Sequence, residues 1–346
     1  MDRSDLSTAE TGAPPPGGRP ARSWVTAVIK IVVSLGLLAL LLARTNIGDL
    51  WQQIHSASMV WLAAALLVYF GMTLVGVWRW GLLLSAQQVP VGRPALFASY
   101  VVALFFNNFL PSNIGGDVFR IADTARPAGS KTLAATVVLV DRAMGLLGLT
   151  MVAAVGSTLA AGAFVQTLPI RPRWLWTAFA LATGATAAAV MAPNGFGRLL
   201  RPLAVFHAEW VGTRIAQITE ALHRFRARVE ALVGCLAAAI VVQSAFVVYY
   251  ASVSHALHVP IPFAALAVIT PVSFLLQMIP VSINGFGVRE AAFSYFFTRL
   301  GLSLSSALAV SLVGAGLMML FSLSGALAYM LRRSPVGATT PTGRPS

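Results

Sequence analysis

The feature that most constrains the fold of this chain is a series of six long apolar stretches. A helix of about 20 residues crosses a hydrocarbon core of ~30 Å, and a helix satisfies its own backbone hydrogen bonds inside lipid. Of the 346 residues, 57% are hydrophobic and only 10% are charged, which excludes an ordinary soluble protein. The sequence therefore predicts an all-α polytopic membrane protein with about six full transmembrane helices, at residues 24–43, 59–84, 132–164, 174–192, 231–255 and 303–331.

Two further apolar stretches, residues 95–122 and 262–299, are each interrupted by the same polar pattern. The first contains PSNIGGDVFR from Pro111 and the second PVSINGFGVR from Pro280, with Pro, Ile, Gly and Arg at identical offsets. Backbone that leaves the helix at membrane depth is stable only where protein or a water-filled cavity surrounds it. We therefore expect two broken, re-entrant hairpins with these patterns at their tips.

The distribution of basic residues predicts the orientation. If both hairpins are re-entrant, most Lys and Arg lie on one side, taken as the cytoplasm, and the outer loops carry only Arg44, Arg171 and Arg173. If residues 95–110 crossed as a full span instead, the arginine-rich linker 193–230 would face outward, so the charges favour hairpins. Both termini are then cytoplasmic, and we expect disordered tails at residues 1–23 and 332–346.

This topology divides the single membrane domain, residues 24–331, into two units of opposite orientation. The first unit covers residues 59–166 and the second 231–331, and each contains a span, a broken hairpin and another span. Inverted repeats with discontinuous helices are typical of transporters whose site lies near the midplane. We therefore expect a site where the two hairpin tips meet, with the linker 193–230 along the cytoplasmic surface.

The hairpin tips supply the candidate substrate-binding residues. Proline ends the entering helix, glycine permits close approach of a ligand, and the N-terminus of the leaving helix together with an arginine suits a phosphate group. The same motifs are compatible with tight turns selected for packing alone. The candidates are Asn113, Gly115, Gly116 and Arg120 in the first hairpin, and Asn284, Gly285, Gly287 and Arg289 in the second.

An acidic residue distinguishes the two patterns. Asp117 in the first pattern would repel an anion unless Arg120, three residues on, or Arg142 neutralises it. Phe286 stands at the matching position of the second pattern. We therefore expect Arg289 to be the stronger anion ligand.

Four other charged residues near these motifs are candidates for coupling or structural roles. Asp141 lies beside Arg142 in a span, and Glu290 follows Arg289; each pair is compatible with a structural ion pair or with a functional one, including proton coupling. Arg79 lies between two tryptophans, which is compatible with an interfacial anchor or with a phosphate contact.

Motifs for other chemistries are missing from the sequence. The single cysteine, Cys235, excludes an intramolecular disulfide, and the histidines have no metal-binding spacing, so we expect no metal and no catalytic set. There is no nucleotide-binding or serine-hydrolase motif, and we expect no cofactor. The net charge of +13 is not concentrated on an aromatic-bearing soluble module, so nucleic acid is not an expected partner.

The sequence resembles the flippase-like family that includes the membrane portion of the lysylphosphatidylglycerol synthases, or multiple peptide resistance proteins. The resemblance rests on NNFLPSNIGGDVFR, on DRAMGLL from Asp141 and on PVSINGFGVREAAF, and it covers roughly residues 29–331. It implies a module that moves a lipid, or a lipid-linked headgroup, between leaflets. Synthases of the family add a soluble aminoacyl-transfer domain after the membrane part. This chain stops after Arg332 and Arg333 with a short tail, which makes translocation a better expectation than synthesis.

The leading hypothesis is therefore a flippase of the bacterial inner membrane for an anionic, phosphate-bearing lipid. One alternative is a membrane enzyme that transfers or hydrolyses a lipid headgroup, with Asp141 or Glu290 as the base. Another is an accessory subunit that binds lipid or a partner without turnover.

Overall fold

The computed structural model describes residues 20–110, 115–164, 171–202, 208–279 and 281–331. Within these ranges the chain forms thirteen α helices and no strand, which confirms the all-α fold class. The helices are α1 (Pro20–Ala43), α2 (Ile47–His55), α3 (Met59–Ala86), α4 (Arg93–Phe109), α5 (Gly115–Ala125), α6 (Lys131–Phe164), α7 (Pro172–Met191), α8 (Pro193–Leu200), α9 (Ala208–Ala227), α10 (Val229–Ala256), α11 (Phe263–Gln277), α12 (Val288–Arg299) and α13 (Leu304–Leu331).

Five of these helices, α3, α6, α7, α10 and α13, are long and apolar enough to cross a membrane. They coincide with five of the six predicted spans. The first predicted span falls on α1, which meets α2 at a bend of 95°. Asn46 causes α2 to start anew, since its Oδ1 accepts a hydrogen bond from the Gly48 N–H at 3.0 Å. Helix α1 begins at Pro20, inside the predicted tail, because proline is favourable in a first helical turn.

The same turn follows α3 and α10, the first helices of the two units. Gln88 and His258 both have positive φ angles, of 59° and 56°. Each is followed by a buried valine whose N–H bonds back into the helix, Val89 to Leu84 O and Val259 to Ser254 O. The repeat thus extends from the hairpin motif to the preceding connection.

Helices α3 and α10 pack against each other in opposite directions. The Ser58 N–H, just before α3, donates to Ala256 O at the end of α10 (2.8 Å). At the other end of the pair, a methyl group at Gly234, near the start of α10, would lie 3.2 Å from Leu82, near the end of α3. Because α3 and α10 occupy equivalent places in the two units, the units are inverted relative to each other.

Both predicted hairpins are present as pairs of short helices. Ser99 near the start of α4 donates to Asp123 near the end of α5, and Phe106 stacks on Phe119 with centroids 3.7 Å apart. The first hairpin therefore returns to the side that it entered. Helices α11 and α12 form the second hairpin and also pack together. The longest of these four helices, α4, has 17 residues, about 25 Å, which is too short for a ~30 Å core.

Each hairpin packs against the last helix of the opposite unit: α4 against α13, and α11 against α6. A glycine permits each contact. A methyl group at Gly325 of α13 would overlap Val101 O, and one at Gly156 of α6 would overlap Ala267 O. The two contacts are thus equivalent, because each joins the hairpin of one unit to the last helix of the other. This equivalence is expected for a pseudo-twofold arrangement.

The buried apolar side chains form two core clusters. One is centred on the second unit and contains Tyr249, Tyr250, Phe293 and Phe297. The other lies where α3, α4, α6, α9 and the start of α10 meet, and it contains Trp80, Leu83, Phe225 and Cys235. Trp80 of this second core lies against the guanidinium group of Arg120.

The predicted linker contains α8 and α9. Gln87, just after α3, donates to Ala221 O of α9 at 2.9 Å, and Arg214 of α9 donates to Thr132 at the start of α6 at 2.6 Å. The two helices therefore lie at the end of the bundle where α3 and α5 end and where α4, α6 and α10 begin. We call this the basic end.

Candidate functional site

The tip of the first hairpin is formed by closely packed backbone. A methyl group at Gly116 would overlap Ala103 O and lie 2.7 Å from the side chain of Asn107. The Gly116 N–H donates to Asn107 Oδ1 at 2.9 Å. One N–H group of the α5 terminus, which we expected to face a ligand, is thus satisfied within the hairpin. Asn113 lies outside the described residues.

Five charged residues from three helices meet beside this hairpin. Asp141 of α6 bonds through Oδ1 to Arg79 Nε (2.7 Å) and through Oδ2 to Arg120 Nη2 (2.9 Å). Asp117 lies 3.8 Å from Arg120 Nη1 and contacts Arg142 Nε through its other oxygen. These residues form the first charge cluster, which ties α5 to α3 and α6.

The first charge cluster is buried and carries an excess positive charge. Its three guanidinium groups face two carboxylates, which leaves a net charge of +1. Asp141 is 1% exposed and Arg120 6%, whereas the side chain of Arg142 is 42% exposed. The cluster therefore extends from the protein interior to an accessible arginine.

Two buried N–H groups in the cluster region have no hydrogen-bond partner among the described residues. They are Arg120 Nε and Trp80 Nε1. The Arg120 guanidinium carbon lies 4.4 Å from the centroid of the Trp80 ring and 5.5 Å from that of Tyr100. An unsatisfied buried donor costs about 1–3 kcal/mol, so an acceptor at this place would be stabilised.

The tip of the second hairpin consists of residues with left-handed backbone. Asn284, Gly285 and Gly287 have φ angles of 47°, 74° and 82°, which glycine adopts without steric cost. Asn284 Nδ2 donates to Asn108 Oδ1 of the first hairpin at 3.1 Å. The two hairpin tips are therefore in direct contact.

Helix α1 packs on this second tip. Ser34 Oγ accepts a hydrogen bond from the Ile283 N–H at 2.9 Å, and a methyl group at Gly287 would lie 2.8 Å from Leu37 Cβ. In this conformation Gly287 permits the approach of a helix rather than of a ligand.

The charges of the second hairpin compensate one another. Arg289 Nη2 lies 2.7 Å from Glu290 Oε1, and Ser311 of α13 bonds to both residues. Glu290 Oε2 accepts from the Gly287 N–H at 2.6 Å and so caps α12. Arg289 is 4% exposed and Glu290 0%. Unlike the first cluster, this second charge cluster has no excess charge.

The structure brings the predicted residues together in two groups. Asp117 contacts both partners that the sequence suggested for it, and Arg79 is ion-paired to Asp141. The arginine of each hairpin contacts a polar residue of the following long helix, Asp141 in one unit and Ser311 in the other. The tryptophan after Arg79 and the asparagine pair just before the first pattern were signals for some contributors that sequence reasoning missed. The missed contributors are Trp80, Tyr100, Asn107, Asn108, Ser34 and Ser311.

Two cavities formed by described residues lie away from both charge clusters. One, of about 570 Å³, is lined by Trp61, His255 and His258 where α3 begins and α10 ends. The other, of about 850 Å³, lies between α8 and α9. In the described parts of the chain, no three His, Cys, Asp or Glu side chains are grouped as metal ligands.

Fold and site together define a polytopic helical membrane protein with buried ionic groups at two inverted hairpins. The chain belongs to the family described as the transmembrane region of lysylphosphatidylglycerol synthase, whose sequence model matches residues 27–325. This match confirms the resemblance found in the sequence, and it connects the protein with membrane lipids. A comparison with curated proteins gave no significant match.

Proposed function

We propose that this protein is a lipid translocase that moves a phosphate-bearing lipid between the leaflets of the bacterial inner membrane. The first charge cluster is the proposed headgroup site, and the acyl chains remain in the surrounding lipid. Membership of a family connected with membrane lipids supports the substrate class.

The observation that carries this proposal is a pair of buried donors at the first cluster. Arg120 Nε and Trp80 Nε1 have no hydrogen-bond acceptor among the described residues. A phosphate group would supply acceptor oxygens to both donors and a charge that suits the arginines of the cluster. Buried intramembrane charges are costly, and such a group of charges favours a ligand pathway.

Arg120 is a better candidate than Arg289, contrary to our expectation from the sequence pattern. The carboxylate that follows Arg289 neutralises it, and Ser311 occupies its Nε. We therefore assign a structural role to Arg289, Glu290 and the glycines of the second tip. These residues hold α12, α13 and α1 in place.

Access to the first cluster requires the first hairpin to move. Arg142 is the most exposed member and Arg120 is deep, so a headgroup would contact Arg142 before Arg120. At Arg120 a phosphate would compete with the oxygens of Asp141 and Asp117, and this exchange of ion pairs would loosen α5 from α6. The Asn108–Asn284 contact between the tips would open in the same step.

The alternative of a headgroup-transferring enzyme finds less support. Both oxygens of Asp141 face arginines, and Glu290 accepts bonds from Arg289, Ser311 and the Gly287 N–H. A carboxylate engaged in this way is a poor general base, because the charged form is already stabilised.

We further propose that the basic end faces the cytoplasm, which makes both termini cytoplasmic. Basic side chains are concentrated in the segments at this end, and few lie at the opposite end. The basic-end residues are Arg93, Arg126, Lys131, Arg198, Arg201, Arg214, Arg224, Arg226 and Arg228; those at the other end are Arg44, Arg171, Arg173 and Arg299.

Reconstitution into liposomes tests the function. Phosphatidylglycerol with a fluorescent acyl chain is followed by dithionite quenching, and a diglucosyl diacylglycerol with the same label serves as the phosphate-free comparison, because its polar headgroup prevents unassisted exchange. We expect protein-dependent exchange of phosphatidylglycerol only. Arg120→Gln should slow it by roughly 10- to 100-fold, since a hydrogen bond to a charged group contributes about 1.5–3 kcal/mol.

Two variants serve as controls. Arg299→Gln removes an exposed arginine at the opposite end and should leave exchange unchanged. Arg289→Met with Glu290→Gln removes the second pair together, which avoids a lone buried charge, and should retain exchange. Chromatography of the recovered lipid detects conversion. Headgroup conversion would identify an enzyme, and lipid binding without exchange would identify an accessory subunit.

A further inference from the structure

The groove between α8 and α9 is a second place where charge and shape suit a lipid. Its volume is about 850 Å³, and its lining includes Asn194, Arg198, Arg201, Thr219 and His223. A methyl group at Gly197 would lie 2.8 Å from Thr219 Oγ1, so this glycine lets α8 pack closely on α9. We call this feature the α8–α9 groove.

The groove carries excess positive charge. Arg198 and Arg201 both line it and are exposed. Glu220 is the acidic residue of the lining, and it lies 3.3 Å from Arg224 in an ion pair along α9. The two groove arginines are therefore available to an anion.

Exposed apolar side chains on other faces of the same two helices favour a lipid over a soluble anion. Leu199 of α8 is 74% exposed and Trp210 of α9 is 62% exposed. Arg214 covers one face of the Trp210 ring, with its guanidinium carbon 5.2 Å from the centroid. Exposed leucine and tryptophan next to arginines are characteristic of helices that lie in the membrane interface.

The groove is also connected to the first unit. Gln87 bonds to Ala221 O, Arg214 to Thr132, and Ser130 to Gln217 of α9 at 3.3 Å. These contacts fix α9 against the ends of α3 and α6. The groove thus has a defined position at the basic end.

We propose that the α8–α9 groove binds the headgroup of an anionic phospholipid from the leaflet at the basic end. Arg198 and Arg201 contact the phosphate. Asn194 Oδ1 and His223 Nε2 lie 3.1 Å apart, and the remaining polar atoms of this pair bond to headgroup hydroxyls. Leu199 and Trp210, on other faces of α8 and α9, hold the two helices in the membrane interface. The proposal is independent of transport, because the site is separate from the first charge cluster.

A fluorescent reporter in the groove tests the proposal on the full chain. Gly212→Cys places the label on the groove wall, where a Cβ has open space, in a Cys235→Ala background. The protein is inserted into phosphatidylcholine nanodiscs with rising fractions of phosphatidylglycerol. We expect a saturable change in emission. Arg198→Gln with Arg201→Gln should weaken the apparent affinity about 30-fold, at ~1 kcal/mol per arginine.

A matched double variant on the same surface, Arg226→Gln with Arg228→Gln, removes two exposed arginines outside the groove. It should weaken binding by at most about threefold, because these charges act only through a screened surface potential. Equal weakening by the two double variants would overturn the proposal in favour of a general basic surface. Saturation by glycerol phosphate or inorganic phosphate in pure phosphatidylcholine discs would overturn it in favour of a soluble anion. Lipid retention measured by native mass spectrometry gives an independent readout if the label disturbs α9.

Discussion

Two arginines at matching positions of the repeated pattern have different electrostatic environments. Arg289 is ion-paired with the carboxylate of Glu290, which pairs with no second arginine among the described residues. Arg120, in contrast, shares Asp141 with Arg79 and lies near Asp117. Removing one partner of a buried ion pair is strongly destabilising because the other charge stays buried. In the first cluster, each carboxylate compensates two guanidinium groups. The acids are therefore the critical members of this cluster.

Asp141→Asn tests this view of the cluster. The substitution leaves Arg79 and Arg120 without their shared carboxylate, so we expect the free energy of unfolding to fall by about 3–5 kcal/mol. Reversible unfolding in mixed micelles by increasing the fraction of denaturing detergent measures the change.

Glu220→Gln is the matched control for Asp141→Asn, because it removes one acid from an exposed pair with Arg224. Its expected cost is at most about 1 kcal/mol. The double variant Arg79→Gln with Asp141→Asn should cost less than the two single changes added together, since the two residues are in contact. Additive effects, or equal effects of the two acid substitutions, would contradict the proposed role of Asp141.

The local part of the first cluster was predictable from the sequence, and of its long-range part only the pairing of Asp117 with Arg142 was among the expected contacts. The pairing of Asp117 with Arg120 follows from a three-residue spacing on one helix. The pairing of Arg79 with Asp141 depends on how α3 packs against α6, and a single sequence contains no signal for that register. For the same reason Ser311 was not predicted to bond to Arg289.

At the scale of elements, the hairpins depend on close contact between their arms. Gly116 lies against the backbone of Ala103, and its N–H is bonded to Asn107. A side chain at Gly116 would separate α4 from α5 and displace Arg120, which is on the same short helix. The glycine of the repeated pattern thus positions the arginine.

Gly116→Ala is therefore expected to destabilise the protein by about 1–3 kcal/mol, because the added methyl group forces the arms apart. The detergent titration used for Asp141→Asn measures this change. Gly184→Ala in α7 is the control, since a methyl group there meets nothing within 4 Å, and it should have little effect. If Gly116→Ala were as stable as the wild type, the arms would not pack as closely as described.

The elements were predictable where hydrophobicity alone determines them. Five spans and both interruptions are in the expected places, because length and apolar composition are sufficient to identify them. The sharp bend before α2 depends on one capping residue, Asn46, in a stretch that reads as a simple loop. The matched turns at Gln88 and His258 share only a following Val-Pro in the sequence, so their left-handed geometry was not recognised.

At the scale of the whole molecule, the inverted units and the charge distribution predict which end is accessible from each side. Single cysteines in a Cys235→Ala background test this in intact cells with a membrane-impermeant maleimide. Gln52→Cys in α2 should be labelled from outside, and Thr213→Cys in α9 only after permeabilisation, since both positions are exposed at opposite ends of the bundle. Labelling of Thr213→Cys in intact cells would contradict the proposed orientation.

Helix α7 packs sparsely, yet it determines the relative orientation of the two units. Most of its surface faces outward, and it contributes no member to either charge cluster. Between the start of α3 and the start of α10, the chain crosses the bundle along α3, α6 and α7, while the hairpin returns to its own side. Three is an odd number, so the second unit begins on the opposite side from the first. Without α7 the count would be even and the two units would point the same way; the presence of this one additional crossing therefore gives the two units their opposite orientation.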